Sequence, residues 1–214
     1  MTVEINRFVN QLMEANCFVV VDHDSESCLI IDPASENAEN EINYIEENHL
    51  HLDYVLITHT HADHCWGANS LKRRYPEMKL LYHEDKYMNR EIMLFFRMWH
   101  ENVNYRYVLA PSENPISDGY LINWHGHQMK FVLTPGHSEG SICIEIDGVL
   151  FTGDTIMPFP PYFNGRGSDK TVWEKSVKKL VSLYKPETKI YPGHGDALTL
   201  GEWMSKEEYS RYKE

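Results

Sequence analysis

The sequence predicts an α/β fold in which β-sheets are covered by helices. Two observations indicate this class: short runs of β-branched and aromatic residues recur along the chain, and amphipathic segments lie between them. The chain has 214 residues, of which 42% are hydrophobic, enough for one substantial core. No internal repeat, low-complexity segment or linker is visible in the sequence, so we expect a single domain over residues 1–214.

The first half of the chain predicts a hairpin followed by helices and strands in alternation. The stretch CFVVVDHDSESCLIIDP has two β-branched runs around a polar turn from Asp22 to Ser27, which is the pattern of a β-hairpin. A helix is expected in ENEINYIEENH, where Ile42 and Ile45 have helical spacing. A strand, a helix and a second strand follow in DYVLIT, ANSLKRRYP and KLLYH.

The segment from residue 86 to residue 105 is dense in methionine and aromatic residues and mostly helical in pattern. One interpretation is an amphipathic helix packed on the core. The alternative is a cap over a pocket, where flexible methionines and flat aromatic rings suit an apolar substrate.

The second half predicts a group of strands and two helices. Strands are expected in MKFVLT, SICIEI, GVLFT and TKIYPG, with glycine-containing turns among them. The segment VWEKSVKKLVSLY predicts an amphipathic helix whose apolar stripe runs from Trp173 to Tyr184. The last residues, EWMSKEEYSRYKE, predict a charged helix.

Charge and composition disfavour several classes of protein. Twenty basic against thirty-two acidic residues give a net charge of −12, which disfavours nucleic acid as a partner. No apolar run approaches the roughly 18 residues of a membrane helix, and four scattered cysteines without a CxxC pair indicate neither a disulfide scaffold nor a zinc ribbon. With Met1 as the native start, the absence of a secretory pattern predicts a cytoplasmic protein. No pattern indicates an oligomeric state.

The stretch LITHTHADHCWG concentrates metal-binding side chains directly after a predicted strand. It contains His59, His61, Asp63 and His64 in the pattern His-x-His-x-Asp-His. Residues two apart in an extended segment point the same way, so His59 and His61 can converge on one ion. As the chain turns into a helix, Asp63 and His64 swing to another side and can serve a second ion. Cys65 follows as the helix begins and is expected to pack in the core.

Three further candidate ligands each follow an apolar strand and a tight turn that contains glycine. His137 follows MKFVLT, Asp154 follows GVLFT, and His194 follows TKIY. Loops at one edge of a rigid sheet are where sites are built. Seven nitrogen and oxygen ligands suit two borderline ions that share one carboxylate. Zinc is the expected metal, with iron or manganese as alternatives.

This ligand chemistry indicates metal-assisted hydrolysis of a small-molecule substrate. An ion held by neutral imidazoles and carboxylates lowers the pKa of bound water to roughly 7 and supplies hydroxide at neutral pH. The hydroxide attacks a carbonyl carbon, and the metals stabilise the oxyanion that develops. Asp63 is the candidate to orient this nucleophile and accept its proton.

The ligand motifs resemble those of the metallo-β-lactamase fold superfamily, most closely its glyoxalase II-like hydrolases. The resemblance covers nearly the whole chain, with HTHADH, TPGHSEGS, FTGDT and YPGHGD in the family's order. It implies an αββα four-layer sandwich with the site at one edge. It also implies two sets of three ligands and one bridging residue: His59, His61 and His137; Asp63, His64 and His194; and Asp154.

Known members of that family narrow the expected activity to a small ester, thioester or related bond. Some exported β-lactam-hydrolysing members carry Cys where Asp154 stands here, and RNA-processing members bind a polyanion, which the charge disfavours. Lactone, β-lactam and phosphodiester hydrolysis are therefore less favoured. The chain ends 20 residues after His194, room for one helix, so the helical domain that supplies glutathione contacts in full glyoxalase II enzymes is not expected. The principal alternative is a mononuclear iron persulfide dioxygenase, since such enzymes resemble the same pattern.

Two residues after Asp154 are candidates for substrate binding. Arg166 stands where shorter glyoxalase II-like hydrolases often have a Gly-Arg element, and it is expected either to bind a substrate carboxylate or to pair on the surface. Tyr162 belongs to the aromatic loop MPFPPYF, which is expected to form a pocket wall. His125 and His127, in NWHGHQ, are expected on an exposed hairpin turn.

Overall fold

The computed structural model describes residues 3–10, 13–99 and 105–212, leaving aside the side chains of residues 89, 91 and 99. The chain divides into two units, Met1–Ile116 and Ser117–Glu214, and each contains one mixed β-sheet. No helix in the described part of the chain is long and apolar enough to cross a membrane.

The first unit alternates strands and helices after an N-terminal β-meander. Its elements are β1 (Glu4–Val9), β2 (Asn16–Asp22), β3 (Ser27–Ile31), α1 (Glu39–Glu47), β4 (His51–Leu56), α2 (Ala62–Cys65), α3 (Ala68–Arg74), β5 (Lys79–Leu81) and α4 (Met88–Trp99). The sheet has the order β1-β2-β3-β4-β5, antiparallel from β1 to β3 and parallel from β3 to β5. Because β3 and β4 are parallel neighbours, the residues that follow them lie at the same edge of the sheet.

Helices α1 and α3 cover a face of this sheet through alternate residues of its strands. Cys17, Val19 and Val21 of β2 belong to one buried cluster with Ile45 of α1 and Leu71 of α3. Strand side chains alternate between faces, so these three residues of β2 share one face. The predicted hairpin and the helix that follows it are confirmed.

Helix α4 lies in the segment for which the sequence left a packed helix and a cap open. Ile92 and Phe96 are one turn apart and are buried in the core cluster of the first unit. The packed-helix prediction is therefore confirmed. The helix spans Met88–Trp99, and residues 100–104 of the predicted segment lie outside the described residues.

The second unit contains an antiparallel meander extended by a parallel strand. Its elements are β6 (Leu121–Trp124), β7 (His127–Leu133), β8 (Ile142–Ile146), β9 (Val149–Gly153), α5 (Lys170–Leu183), β10 (Lys189–Pro192), β11 (Leu198–Thr199), α6 (Leu200–Met204) and a 3₁₀ helix (Glu207–Tyr212). Strands β7 and β9 are both antiparallel to β8, and β10 is parallel to β9. Strands β7, β9 and β10 therefore run in the same direction and end at the same edge.

Helix α5 confirms the predicted apolar stripe, whereas the predicted last helix is wrong. The Asp169 side chain caps α5 by accepting the backbone N–H groups of its first turn, and Trp173 and Leu180 are buried in the core of this unit. The last segment is two short helices with a break between them. The break brings the Tyr209 ring over the Trp203 ring, with centroids 4.1 Å apart, which one continuous helix would prevent.

The structure corrects the prediction for one histidine of NWHGHQ. His125 is exposed on the two-residue β6–β7 turn, as expected, with a φ of 50°. His127 is the first residue of β7, is 1% exposed, and its Nδ1 lies 2.5 Å from Oδ2 of Asp147. Asp147 belongs to the turn between β8 and β9, so the sequence around His127 gave no sign of this partner.

Candidate metal centre

The first unit places four candidate ligands at the edge where β3 and β4 end. His59 follows β4, His61 is the N-cap residue of α2, and Asp63 and His64 lie within α2. Nε2 of His59 lies 3.0 Å from Nδ1 of His61. Two nitrogens bound at tetrahedral angles to one zinc ion would be about 3.3 Å apart, so this pair fits a shared ion.

The other two ligands of this unit, Asp63 and His64, also have their donor atoms close together. Oδ2 of Asp63 lies 3.8 Å from Nε2 of His64. The candidate ligand atoms of His59 and His64 lie within 4.8 Å of each other. The donor atoms of the HTHADH motif thus lie close together at one edge of the sheet.

A buried carboxylate that the motif does not include, Asp32, orients two of these histidines. It is 2% exposed and follows β3 with a φ of 55°. Its Oδ1 accepts the backbone N–H of Thr58 at 2.7 Å, and its Oδ2 accepts the Thr58 hydroxyl at 2.6 Å. The same Oδ2 lies 2.9 Å from Nδ1 of His64, and the Thr58 hydroxyl oxygen lies 3.2 Å from Nδ1 of His59.

These contacts select the ring tautomer of both histidines. A carboxylate only accepts hydrogen bonds, so Nδ1 of His64 carries the proton and donates it to Asp32. The Thr58 hydroxyl donates to Asp32, so its oxygen accepts from Nδ1 of His59. Both rings therefore keep an unprotonated Nε2, which is the lone pair that a metal ion requires.

Helix α2 is fixed in place at its C-terminal end. The Tyr107 hydroxyl donates to the Cys65 carbonyl at 2.6 Å, and the Gly67 N–H donates to the Pro33 carbonyl at 2.9 Å. A Cβ on Gly67 would lie 2.5 Å from the Ser35 carbonyl oxygen. Glycine is therefore required here by the close approach of the loop after β3.

Cys65 packs in the core, as the sequence predicts. It is fully buried within the apolar cluster of the first unit. Burial raises the pKa of its thiol well above the usual range, and the charges of Asp63 and Asp32 raise it further. Its Sγ donates to the Thr60 carbonyl at 3.9 Å, and none of the groups of clustered ligand atoms among the described residues includes it.

The second unit brings its three candidate ligands together at the edge where β7, β9 and β10 end. Oδ2 of Asp154 lies 3.4 Å from Nε2 of His137 and 3.7 Å from Nε2 of His194. Asp154 is 7% exposed and His137 is 5% exposed. One carboxylate oxygen between two imidazole nitrogens suits a residue that two ions share, the role that the resemblance implies for Asp154.

The ring of His137 has its tautomer selected in the same way as those of His59 and His64. Its Nδ1 lies 3.0 Å from the Tyr162 carbonyl oxygen, which can only accept, so Nδ1 carries the proton and Nε2 is left unprotonated. The preceding residue, Gly136, has a φ of 137°, and a Cβ there would lie 2.3 Å from the Trp173 backbone. The turn before His137 is thus packed directly onto the start of α5.

The two predicted substrate-binding residues lie in the loop between β9 and α5. The Tyr162 side chain is 70% exposed, and the residue contacts His137 through its backbone carbonyl. Arg166 is exposed in a turn. A role for either side chain in binding substrate stays a prediction.

The donors in each unit fit a transition metal, because they are imidazole nitrogens and carboxylate oxygens with three ring tautomers already set. Residues 11–194 match the family model of the metallo-beta-lactamase superfamily. The chain belongs to the metallo-β-lactamase superfamily. The predicted family is therefore confirmed.

Two relatives align with most of this chain. It is 27% identical over 186 residues to the probable polyketide biosynthesis zinc-dependent hydrolase BaeB of Bacillus velezensis, covering 86% of this chain and 75% of that protein. It is 31% identical over 196 residues to a hydroxyacylglutathione hydrolase of Pelagibacter ubique, covering 88% of this chain and 70% of that protein.

The fold of this chain matches the crystal structure of BLEG-1 B3 metallo-beta-lactamase with a TM-score of 0.82. The match covers 95% of this chain and 97% of that one at 20% identity, so it bears on the fold alone. The predicted fold class, α/β of the metallo-β-lactamase type, is confirmed by this match.

Proposed function

We propose that this chain is a hydrolase that binds two transition-metal ions and cleaves an ester or thioester bond of a small molecule. The observation that carries the proposal is the orientation of three buried histidines. His59, His64 and His137 each engage Nδ1 with a protein acceptor, and their Nε2 atoms lie 3.0 to 3.8 Å from candidate ligand atoms of His61, Asp63 and Asp154. Second-layer hydrogen bonds of this kind are the usual partners of metal-bound histidines.

The division of the ligands between two ions is the one that the resemblance to the superfamily implies. In this proposal each ion takes three residues of its own and both share the carboxylate of Asp154: His59, His61 and His137 for one ion, and Asp63, His64 and His194 for the other. That both units serve the same ions is supported by the family match over residues 11–194.

The residues of the chain then have distinct tasks in hydrolysis. When bound, the two ions would supply Lewis acidity, which activates water and polarises a carbonyl group. Asp63, whose side chain is 13% exposed, is the carboxylate proposed to orient the attacking water and accept its proton. Arg166 and Tyr162 are proposed to contact the substrate.

The expected substrate is a small ester or thioester, and the expected metal is zinc. A relative at 31% identity is named a hydroxyacylglutathione hydrolase, which supports thioester chemistry. Another is named a zinc-dependent hydrolase, which supports zinc over iron or manganese. The net charge of −12 supports a small molecule over a nucleic acid as partner.

The test combines metal analysis of protein purified from its own host with a panel of substrates: glutathione thioesters, lactones, β-lactams and phosphodiesters. We expect two metal ions per chain and turnover of a thioester or ester. His59→Ala should abolish turnover, whereas His51→Ala, at an exposed histidine paired with Asp53, should leave it unchanged. A single iron per chain, with oxygen uptake on a persulfide and no hydrolysis, would refute the proposal in favour of a dioxygenase.

A further inference from the structure

A cleft in the first unit, away from the candidate ligands, is lined by acidic side chains. Its volume is about 300 Å³, at the lower end of the range of small-molecule sites. It lies between the end of β1, the loop after β3 and the first turn of α1. Its lining includes Glu36, Glu39 and Glu41, and no lysine, arginine or histidine among the described residues.

The three glutamates differ in their exposure to solvent. Glu39 is exposed, Glu36 is intermediate, and Glu41 is 3% exposed. Carboxyl groups therefore continue from the surface to a buried position. A cation is attracted by this arrangement, and an anion is repelled.

The buried carboxyl of Glu41 has one oxygen whose hydrogen-bonding capacity is unmet. The Cys17 thiol donates a hydrogen bond to this carboxyl, and burial raises the pKa of the Glu41 carboxyl. Within the described part of the chain, Oε2 of Glu41 has no hydrogen-bond partner. A buried acceptor without a donor costs about 1–3 kcal/mol, and native proteins retain few of them.

The remaining lining of the cleft is apolar or neutral. Phe8, Val9 and Ala34 line it together with asparagine side chains. The carbon stem of a ligand would pack against these apolar side chains, while a charged N–H group would donate to the carboxylates. This combination distinguishes an aliphatic amine from an inorganic cation, which prefers a shell of several oxygens.

We propose that this cleft binds an aliphatic ammonium ion, whose N–H groups donate to Glu41 and whose carbon stem packs against Phe8 and Ala34. The ligand would supply the donor that Oε2 lacks and would neutralise a buried negative charge. A second ammonium group on the same stem would meet Glu36 and Glu39 at the mouth. The site is independent of the proposed hydrolase activity, because none of its described lining residues is a candidate metal ligand.

The test uses n-butylammonium and 1,4-diaminobutane as probes of the full chain, with 1-butanol as the uncharged analogue. Binding is measured by calorimetry and by amide chemical shifts in labelled protein. We expect saturable binding of both amines, stronger for the diamine, and no binding of the alcohol. The shifted amides should cluster in the loop after β3 and the first turn of α1.

Variants on one helix separate the proposed contact from general charge attraction. Glu41→Gln keeps the shape of the side chain and should weaken binding of both amines at least ten-fold. Glu47→Gln removes an exposed charge at the other end of α1 and should leave binding unchanged. Asn40→Trp, at an exposed lining residue, should block the cleft by bulk and serves as the second test if Glu41→Gln fails to fold.

Three results would overturn the proposal. One is the absence of saturable amine binding to the wild-type chain. Another is equal binding by the wild type and a folded Glu41→Gln variant. The third is equal weakening by Glu41→Gln and Glu47→Gln, which would show that the amines respond only to net charge.

Discussion

Replacing Asp32 by Asn tests whether this carboxylate sets the metal-binding tautomers. The carboxylate accepts three hydrogen bonds, two from Thr58 and one from His64, at 2.6 to 2.9 Å. Asparagine has nearly the same shape but offers one oxygen and one NH₂ group. If its oxygen stays with the Thr58 backbone N–H, its NH₂ group faces the proton on Nδ1 of His64.

The magnitude follows from the lost hydrogen bond and from the burial of the pair. The side chains of Asp32 and His64 are 2% and 0% exposed, so water cannot replace the missing acceptor. A hydrogen bond to a charged group contributes about 1.5–3 kcal/mol, and we expect the metal-free variant to lose about that much stability. Loss of such a second-layer partner typically weakens metal affinity about 10- to 100-fold.

The assay pairs urea unfolding of the metal-free protein with zinc titration against a competing chelator. Asp53→Asn is the matched control, because Asp53 also pairs with a histidine at 2.9 Å, but the His51 side chain is 67% exposed. Exposed pairs contribute about 0–1 kcal/mol, so the control should stay close to wild type in both measurements. If Asp32→Asn matched the control in zinc affinity, the tautomer argument would be wrong.

Three further sets of variants test the ligands, a turn and the buried thiol. Asp154→Ala should abolish zinc binding at both sites together, whereas His194→Ala should weaken mainly one; equal and independent losses in zinc titrations would contradict the bridging role. Gly136→Ala should cost more than about 2 kcal/mol in urea unfolding, because its Cβ would overlap the backbone of α5. Gly148→Ala, also at positive φ but with open space around it, should cost about 1 kcal/mol, and equal costs would refute the overlap argument. Cys65→Ala should lower stability by about 1 kcal/mol and leave the number of bound zinc ions unchanged, whereas a lost ion would make Cys65 a ligand.

The candidate ligands were predictable because each one is marked by local sequence. His137, Asp154 and His194 each follow an apolar run and a glycine-containing turn, and the structure has a strand ending just before each of them. The direction of the strands then determines where these residues lie. Since β7, β9 and β10 run the same way, three separate motifs reach the same edge of one sheet.

The supporting residues were not predictable, because their partners are distant in sequence. Asp32 is 26 residues from Thr58 and 32 from His64, and in the sequence it is one more acidic residue before a proline. His127 and Asp147 are 20 residues apart and meet only through the register of β7 and β8. Pattern reasoning works within one element, whereas hydrogen bonds between elements depend on the register and topology of the sheet.

The position of Asp32 explains why the loop after β3 tolerates an unfavourable backbone conformation. Non-glycine residues rarely adopt the left-handed region, which costs on the order of 1 kcal/mol. Asp32 adopts it with a φ of 55°, and in that conformation both carboxylate oxygens meet buried donors. The free energy contributed by three hydrogen bonds to a charged group is larger than the free-energy cost of this backbone conformation, so the strained conformation persists. One of these bonds orients His64, and the Thr58 hydroxyl held by another orients His59, so the strained residue is part of the candidate metal centre rather than a feature of the turn alone.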